Sequence, residues 1–259
     1  MPFQQSGAVR YLTFDLLQEA GLGHAVFTRQ GGVSPAPWAA LNLSASAGDA
    51  PERVAENLQR ALSAAGREPA SVFDVWQVHG SEVARADAPR GGSLQQADAI
   101  LTDRPGVTLL MRFADCTPIL LYDPVHQAAA LAHAGWKGAV GRVAGEAVKA
   151  MQAQYGSRPA DLLAAIGPSI AAHHYPVGPE VAGRVRQAFG MDAGALLPEE
   201  NGQPHFDLLA ANRLVLEQAG VRRIENACLC TACCLDDWYS HRAERGQTGR
   251  FGATLWLKD

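Results

Sequence analysis

A cysteine and a histidine lie at the ends of two neighbouring apolar runs, where both can do chemistry. The runs Thr117–Tyr122 and Gln127–Ala132 flank a short proline-containing segment, which predicts the two strands of a β-hairpin. A turn centred on Pro124–Val125 sets Cys116 directly opposite His133, with their Cβ atoms about 5 Å apart. At that distance a thiolate and an imidazole can share one metal ion or one proton. The alternative is a buried thiol beside a hydrogen-bonded core histidine.

His79 is the third candidate metal ligand. It follows the predicted strand Val72–Val78 and precedes a glycine, so its side chain is well placed to project into a cleft. Two histidines and one cysteine leave the fourth position of a tetrahedral zinc ion open for water or substrate, as in catalytic zinc sites. The long intervals between the three residues do not resemble the spacing of a zinc finger.

Two other uses of these side chains remain open. Cys116 and His133 can form a dyad in which the cysteine attacks an amide or ester, as in cysteine hydrolases. One cysteine with two histidines can also bind a single copper ion. The chain lacks the several His-x-His pairs that a multicopper cluster would need.

The elements that must position these residues are short strands and amphipathic helices, recognised from period and flanking turn residues. We expect Asp49 to cap the first helix. No linker, repeat or low-complexity tract interrupts residues 1–259, so we expect one domain. The predicted strands are Val9–Phe14, His24–Thr28, Val72–Val78, Glu82–Ala86, Asp98–Thr102, Thr117–Tyr122, Gln127–Ala132, Leu162–Ile166, Arg222–Ala227 and Phe251–Leu257. The predicted helices are Pro51–Ala65, Ala139–Tyr155, Pro179–Phe189 and Phe206–Ala219.

Two stretches have the composition of an anion site. A glycine-rich loop begins at Arg29 and continues to Asn42, but no helix follows it directly, which favours an ordinary surface loop over a phosphate cradle. Residues 134–138 precede a helical pattern, and backbone N–H groups at a helix start favour anions such as phosphate.

The C-terminal part holds a second group of thiols. Four cysteines lie between Cys228 and Cys234 and include a C-x-x-C step, with no second pair at the spacing of a zinc knuckle. Small buried thiols at a strand end are the favoured interpretation over a redox or metal role. The adjacent His173 and His174 are interpreted as loop residues, because sequence neighbours rarely face the same point.

Composition excludes several classes of partner. The formal net charge of −4 and the pI near 6.1 give no basic surface for nucleic acid. No apolar run approaches the roughly 20 residues of a membrane span, and the N-terminus has no signal-peptide core. Five cysteines without a disulfide framework suit a reducing compartment. We therefore expect a cytoplasmic protein, a monomer or weak homo-oligomer, that acts on a small molecule without nucleic acid or membrane partners.

Together these residues resemble the YfiH-like family, also called laccase-domain or multicopper polyphenol oxidoreductase proteins. The resemblance spans nearly the whole chain, and its motifs are specific only in combination. The matching stretches are Thr28-Arg29, Gly31-Gly32-Val33-Ser34, Leu41-Asn42-Leu43, Gln77-Val78-His79-Gly80, Ala114-Asp115-Cys116, Pro118, Asp123-Pro124, His133-Ala134-Gly135-Trp136, Gly138, Ile166-Gly167-Pro168, Phe206-Asp207-Leu208, Ala211-Asn212-Arg213, Cys230-Thr231 and Thr248-Gly249-Arg250.

The resemblance implies a mixed α/β (α+β) fold in layers, with mixed β-sheets flanked by helices. It implies one Zn²⁺ per chain on His79, Cys116 and His133, with Cu²⁺ as a reported alternative. The implied activity is phosphorolysis of purine nucleosides (adenosine, inosine and methylthioadenosine) with associated adenosine deamination. Copper-dependent polyphenol oxidation and editing of peptidoglycan precursors remain alternatives. The candidate substrate-binding residues are Arg29, Asn42, Gln77, Asp115, Lys137 and Arg242.

Three positions depart from the family pattern. Lys137 stands where an arginine is usual, Ala243 where a second arginine is usual, and His241 where a tyrosine is common. A lysine binds phosphate as a point charge and an arginine as a planar fork, so these changes bear on anion binding. The three candidate metal ligands are intact.

Overall fold

The structure, a computed structural model, describes residues 2–258. Fourteen strands lie within that range. They are β1 (Phe3–Ser6), β2 (Val9–Leu12), β3 (Gly23–Phe27), β4 (Val72–Phe73), β5 (Val83–Arg85), β6 (Ala99–Thr102), β7 (Thr108–Phe113), β8 (Thr117–Asp123), β9 (Ala128–Ala134), β10 (Leu163–Ile166), β11 (Glu199–Glu200), β12 (Gln203–Pro204), β13 (Arg223–Asn226) and β14 (Phe251–Trp256). The α-helices within the described residues are α1 (Asp15–Glu19), α2 (Pro51–Ala64), α3 (Trp136–Val140), α4 (Val143–Tyr155), α5 (Pro179–Phe189), α6 (Ala193–Leu196) and α7 (Leu208–Gln218).

Two six-stranded sheets carry the fold. Sheet I has the strand order β1-β2-β3-β14-β7-β4, and sheet II has the order β13-β10-β8-β9-β6-β5. Each mixes antiparallel pairs with parallel ones: β4 runs parallel to β7 in sheet I, while β5–β6 and β10–β13 are the parallel pairs of sheet II. The strands β11 and β12 form a separate small hairpin.

Alternation along the strands places the sheets in layers. In β8, Ile119 and Leu121 pack with α4, α5 and α7, whereas Leu120 and Tyr122 point the other way and pack against sheet I. The opposite face of sheet I packs against α2 through a smaller cluster that includes Phe27 and Ala61. The order of layers is therefore helix, sheet, sheet, helices, which confirms the predicted mixed and layered fold.

The helix Pro179–Phe189 is confirmed at both ends, but three other sequence predictions need correction. Arg142 adopts a left-handed φ of 60°, so the predicted helix Ala139–Tyr155 is instead α3 followed by α4. Only the first two residues of the predicted strand Val72–Val78 pair with β7. Asp49 is not the N-cap of α2, because Ala50 occupies that position.

Several elements were not predicted at all, and the longest of them are β7, with six residues, and α1, with five. The single-domain assignment for residues 1–259 stays a prediction; the apolar cluster shared by the facing surfaces of the two sheets supports it. Among the described helices, none has the length and apolar character needed to cross a membrane.

Candidate active site

Cys116 and His133 lie where the two sheets meet. His133 shares its face of β9 with Ala129 and Leu131, which pack toward sheet I, and its ring lies 5.4 Å from that of Phe113 in β7. Cys116 immediately precedes β8 and packs against the same intersheet cluster. Both side chains therefore lie on the sheet II face that turns toward sheet I.

The predicted direct pairing of Cys116 with His133 is wrong by two residues. Pro118 pairs with His133, because the hairpin loop contains four residues instead of two. Asp123 stabilises that longer loop by accepting hydrogen bonds from the backbone N of Val125 and His126, at 2.8 and 3.1 Å. A shift of two keeps each side chain on its face, so Cys116 and His133 become diagonal neighbours on one surface.

His79 completes a compact group of three possible metal ligands. One ligand atom from each of His79, Cys116 and His133 lies within 4.8 Å of the other two. The two imidazole rings are nearly perpendicular, with centroids 4.9 Å apart. His133 is buried, Cys116 is partly buried and His79 is exposed, so solvent reaches the group from the side of His79.

Asp98 fixes both histidines. Its Oδ1 lies 2.8 Å from His133 Nδ1 and accepts a hydrogen bond from the backbone N of His79 at 3.0 Å. Its Oδ2 accepts from the backbone N of Val78 and Gly80. Asp98 is fully buried and takes part in all four of these hydrogen bonds. Because one of them occupies Nδ1 of His133, Nε2 is the nitrogen that remains available to a metal ion.

The local charges favour an ionised cysteine. Burial alone raises the pKa of Cys116, but the neighbouring His133 and His79 outweigh it and lower that pKa to about 6. Burial alone lowers the pKa of His133, but Cys116 and Asp98 outweigh it and raise that pKa to about 9. Without a cation, the pair therefore favours thiolate beside imidazolium.

The donor set fits a thiophilic divalent cation. Two imidazoles and one thiolate supply three of four tetrahedral positions, and the exposed side leaves the fourth open. Gly135 keeps the space clear, since a Cβ there would lie 2.7 Å from Cys116 Sγ and 3.3 Å from His79 Cδ2. These three residues are the ones that the sequence predicts as ligands.

Asp115 and Arg242, two predicted substrate-binding residues, lie beside Cys116. Oδ2 of Asp115 accepts a hydrogen bond from the backbone N of Arg242 at 2.7 Å, and its Oδ1 accepts one from Thr231 Oγ1 at 2.6 Å. The exposed Arg242 guanidinium lies 4.9 Å from the ring centroid of Tyr175 and donates to the carbonyl of Pro176. Asp115 thus holds the turn that carries Cys116.

Lys137 lies in the first turn of α3, two residues after Gly135. Its side chain is exposed, and its Nζ lies 5.7 Å from the ring centroid of Trp136. Within residues 2–258 the ammonium group has no hydrogen-bond or ion-pair partner, so it is available to an anion.

The other three predicted substrate-binding residues bond within the protein. Arg29 donates to the carbonyls of Ala39 and Leu235 and pairs with Glu244 at 3.0 Å. Gln77 forms two hydrogen bonds with the backbone of Arg112, at 2.8 and 2.9 Å.

Asn42 is fully buried, and its amide bonds with Ser44, Asp49 and Arg250 occupy all four hydrogen-bonding positions. The geometry favours structural roles for Arg29, Gln77 and Asn42, and their contact with substrate stays a prediction.

Residues 23–258 match the family described as multi-copper polyphenol oxidoreductase laccase. The chain belongs to this family, called YfiH-like below. A curated relative named purine nucleoside phosphorylase, from Deinococcus radiodurans, is 42% identical over 234 residues, or 90% of this chain and 88% of that protein. The Escherichia coli relative, purine nucleoside phosphorylase YfiH, is 33% identical over 243 residues, covering 93% of this chain and 96% of its own.

Solved YfiH-like structures share the whole fold. YlmD from Geobacillus stearothermophilus superposes with a TM-score of 0.92 at 31% identity, covering 99% of both chains. A Bacillus licheniformis protein described as hypothetical protein YfiH gives the same TM-score at 29% identity, again covering 99% of both.

Sequence reasoning missed three residues of this YfiH-like site. Asp98 directly precedes β6 and has no recognisable motif around it. Arg250 belongs to a motif that carried the family resemblance; burial lowers its pKa, opposed by the nearby charges of Cys116 and Asp115. Burial raises the pKa of Tyr175 to about 12, and Cys116 adds to that shift. Only Arg250 had a sequence signal that would have found it.

Proposed function

We propose that this YfiH-like protein is a zinc-dependent purine nucleoside phosphorylase. The observation that carries the proposal is a three-ligand metal site, open on one side, with cationic side chains near it. The names of relatives at 33 to 42% identity support the reaction class. Adenosine, inosine and methylthioadenosine are the proposed substrates, with adenosine deamination as an associated activity.

The reaction replaces the glycosidic bond with a phosphate ester. A phosphate oxygen attacks C1′ of the ribose while the bond from C1′ to the purine nitrogen breaks. The purine leaves with the bonding electron pair and takes the proton of hydrogen phosphate, so free base and ribose 1-phosphate are the products. The protein must hold the dianion against C1′ and place the nucleoside for in-line displacement.

We assign phosphate binding to Lys137, Arg242 and Arg250. Lys137 supplies an exposed ammonium near the start of α3, two residues beyond the Gly135 that borders Cys116. The backbone N of Arg242 donates to Asp115, in the turn before Cys116, while its exposed guanidinium donates to the carbonyl of Pro176. The charges of Cys116 and Asp115 act on Arg250, whose guanidinium donates to the carbonyls of Thr248 and Gly249. Arg29 is the weaker candidate for this role, because its guanidinium is already paired with the carboxylate of Glu244.

His79, Cys116 and His133 would hold the zinc ion. A bound Zn²⁺ supplies Lewis-acid polarisation of substrate oxygen or nitrogen and lowers the pKa of water. Asp98 orients His133 and the His79 backbone, and Asp115 fixes the turn before Cys116 through Thr231. A His₂Cys set with one open tetrahedral position fits a catalytic zinc ion, and the same donor types also bind copper, which is therefore the alternative ion.

We also propose a cytoplasmic location, because the five free cysteines suit a reducing compartment. A monomer or weak homo-oligomer remains the expected assembly.

Base release from each nucleoside, measured with and without phosphate, tests the proposed function. Zinc-loaded protein should release hypoxanthine from inosine only when phosphate is present, while phosphate-independent ammonia from adenosine reports deamination. Cys116→Ala should abolish both reactions, and Cys228→Ala, which changes an exposed thiol in another segment, should leave them unchanged. No base release from any nucleoside, with oxidation of a phenol by copper-loaded protein, would make the polyphenol oxidase alternative correct.

A further inference from the structure

A second group of metal-capable side chains lies outside the candidate active site. His173, His174, Cys230 and Cys233 each place one ligand atom within 4.8 Å of the other three. The two histidines lie close to the C-x-x-C cysteines in space, although 56 to 60 residues separate them in the sequence. The expectation that the adjacent histidines do not face the same point is therefore wrong, and Cys233 is exposed instead of buried, whereas Cys230 is buried as expected.

The topology of sheet II brings the two segments together. Strands β10 and β13 are parallel neighbours, so the chain leaves both at the same edge of the sheet. Beyond the strands the pairing continues as an isolated bridge between Ser169 and Cys230. A short 3₁₀ turn then sets the rings of His173 and His174 side by side, with centroids 4.5 Å apart.

The distances match those around a tetrahedral ion. Zinc bonds of about 2.3 Å to sulfur and about 2.0–2.1 Å to nitrogen put neighbouring S and N ligands about 3.6 Å apart. His174 Nδ1 lies 3.6 Å from Cys230 Sγ and 3.5 Å from Cys233 Sγ, and His173 Nε2 lies 3.2 Å from Cys233 Sγ. An N–H group of His174 that made an ordinary hydrogen bond would point at one of the two sulfur atoms. The two nearly equal distances from His174 Nδ1 instead fit one ion shared by both sulfur atoms.

The surroundings of Cys230 suit a thiolate. The backbone N of Ala171 donates a hydrogen bond to its sulfur at 3.4 Å, and the residue is buried. Backbone donors of this kind orient metal-bound ligands and stabilise their charge. Two thiolates would neutralise a divalent cation, so the filled site would carry no net charge.

We propose that His173, His174, Cys230 and Cys233 form a second, structural zinc site. Four protein ligands fill the tetrahedron and leave no position for substrate, which distinguishes this site from the open three-ligand site. The ion would join the segments that follow β10 and β13.

Residues of the second site are connected by hydrogen bonds to the turn next to Cys116. Thr231 lies between the two cysteine ligands and donates its hydroxyl to Asp115 Oδ1 at 2.6 Å. Ile170, in the histidine-bearing segment, donates its backbone N to the carbonyl of Asp115 at 3.0 Å. Zinc at the second site therefore fixes both segments that hold Asp115, and its removal should lower the melting temperature.

Thiol labelling of the unmodified protein tests the proposal without any substitution. Cys228 and Cys233 are both exposed, so iodoacetamide should reach both in the absence of a metal ion. In zinc-loaded protein, tandem mass spectrometry should find Cys228 alkylated and Cys233 protected, with protection lost after a chelator. Equal labelling of both thiols before and after chelation would overturn the proposal. So would a Cys230–Cys233 disulfide, seen as unlabelled thiols that only a reductant releases.

Metal analysis in a Cys116→Ala background separates the two sites. With the three-ligand site disabled, about one zinc ion per chain should remain at the four-ligand site. Adding Cys233→Ser or His173→Gln should remove it, whereas adding Cys228→Ser should not. Loss of all zinc in Cys116→Ala alone, or its retention with Cys233→Ser, would contradict the second site. Neither result depends on nucleoside turnover.

Discussion

Two hydrogen bonds join Asp98 to His133. Oδ1 of Asp98 lies 2.8 Å from Nδ1 of His133, and the backbone N of His133 donates to the carbonyl of Asp98 at 2.8 Å. The same carboxylate holds the backbone of His79. One buried residue thus sets the orientation of two of the three candidate metal ligands, which come from different parts of the chain.

Replacing Asp98 should weaken metal binding. Asp98→Asn keeps the shape of the side chain but removes the charge that favours His133 as a ligand. Loss of such a partner costs about ten- to a hundredfold in metal affinity. Competition with a chromophoric chelator measures the zinc affinity, and Asp87→Asn, at a carboxylate that is 62% exposed, is the matched control. Unchanged affinity in Asp98→Asn would mean that the histidines need no such support.

Gly135→Ala should damage the same site sterically. The added Cβ would lie 2.7 Å from Cys116 Sγ, so either the hairpin end or the cysteine must move. Overpacking of this kind costs about 1–3 kcal/mol, and we expect a fall in zinc affinity of about ten- to a hundredfold. Gly183→Ala in α5, where the Cβ meets no atom within 4 Å, is the control. Equal affinities in the two variants would contradict the close approach.

Lys137→Met should impair phosphate use without loss of zinc. A charged hydrogen bond contributes about 1.5–3 kcal/mol, so the phosphate KM should rise or kcat/KM should fall about ten- to a hundredfold. Lys137→Arg keeps the charge but changes its geometry and should have a smaller effect. Steady-state kinetics with phosphate varied measure the change, with Lys149→Met, at an exposed position of α4, as the control. Adenosine deamination needs no phosphate, so an equal loss of both activities would give Lys137 a general role instead.

Acid should destabilise the fold through His24. Burial lowers the pKa of His24 from 6.5 to about 4, and its Nε2 accepts a hydrogen bond from the backbone N of Phe14. At a pH between those two values, His24 is protonated in the unfolded chain but not in the folded chain. The free energy of unfolding therefore falls as the pH falls from about 6.5 to 4. The loss is about 1.4 kcal/mol per pH unit and about 3 kcal/mol in total.

Urea unfolding at several pH values checks this slope. His24→Gln, which does not titrate, should have lower stability at neutral pH but a shallower pH dependence. His241→Gln, at an exposed position, should keep the slope of the unmodified protein. A pH dependence that is the same in His24→Gln and the unmodified protein would remove His24 as its source.

Local sequence patterns predicted the hairpin and the candidate metal ligands at its open end, but not the register of its strands. The prediction that Cys116 and His133 share one face was correct, because the longer loop shifted the pairing by two residues and an even shift keeps side chains on the same side. The loop length depended on Asp123, whose side chain accepts two backbone bonds that no composition rule specifies. Similarly, Arg142 breaks a helix by adopting a left-handed conformation that its residue type does not favour.

Long-range contacts account for what was missed at the sites. In the sequence Asp98 looks like an ordinary strand residue, and only the folded chain shows that it bonds to His79 and His133. The pairing of His173 and His174 with cysteines some 56 to 60 residues away depends on the order of strands in sheet II. Such an order is decided by packing of the whole chain, whereas the candidate metal ligands His79, Cys116 and His133 belong to motifs visible in the sequence.

Phosphorus NMR of a single reaction tests the central claim most directly. Zinc-loaded protein, inosine and inorganic phosphate are incubated together, and the loss of phosphate signal is compared with the hypoxanthine released. Phosphorolysis predicts a new ribose 1-phosphate resonance in an amount equal to the hypoxanthine, absent with Cys116→Ala. Hypoxanthine released without any phosphate ester would identify a hydrolase, and an unchanged spectrum with intact inosine would contradict the assignment altogether.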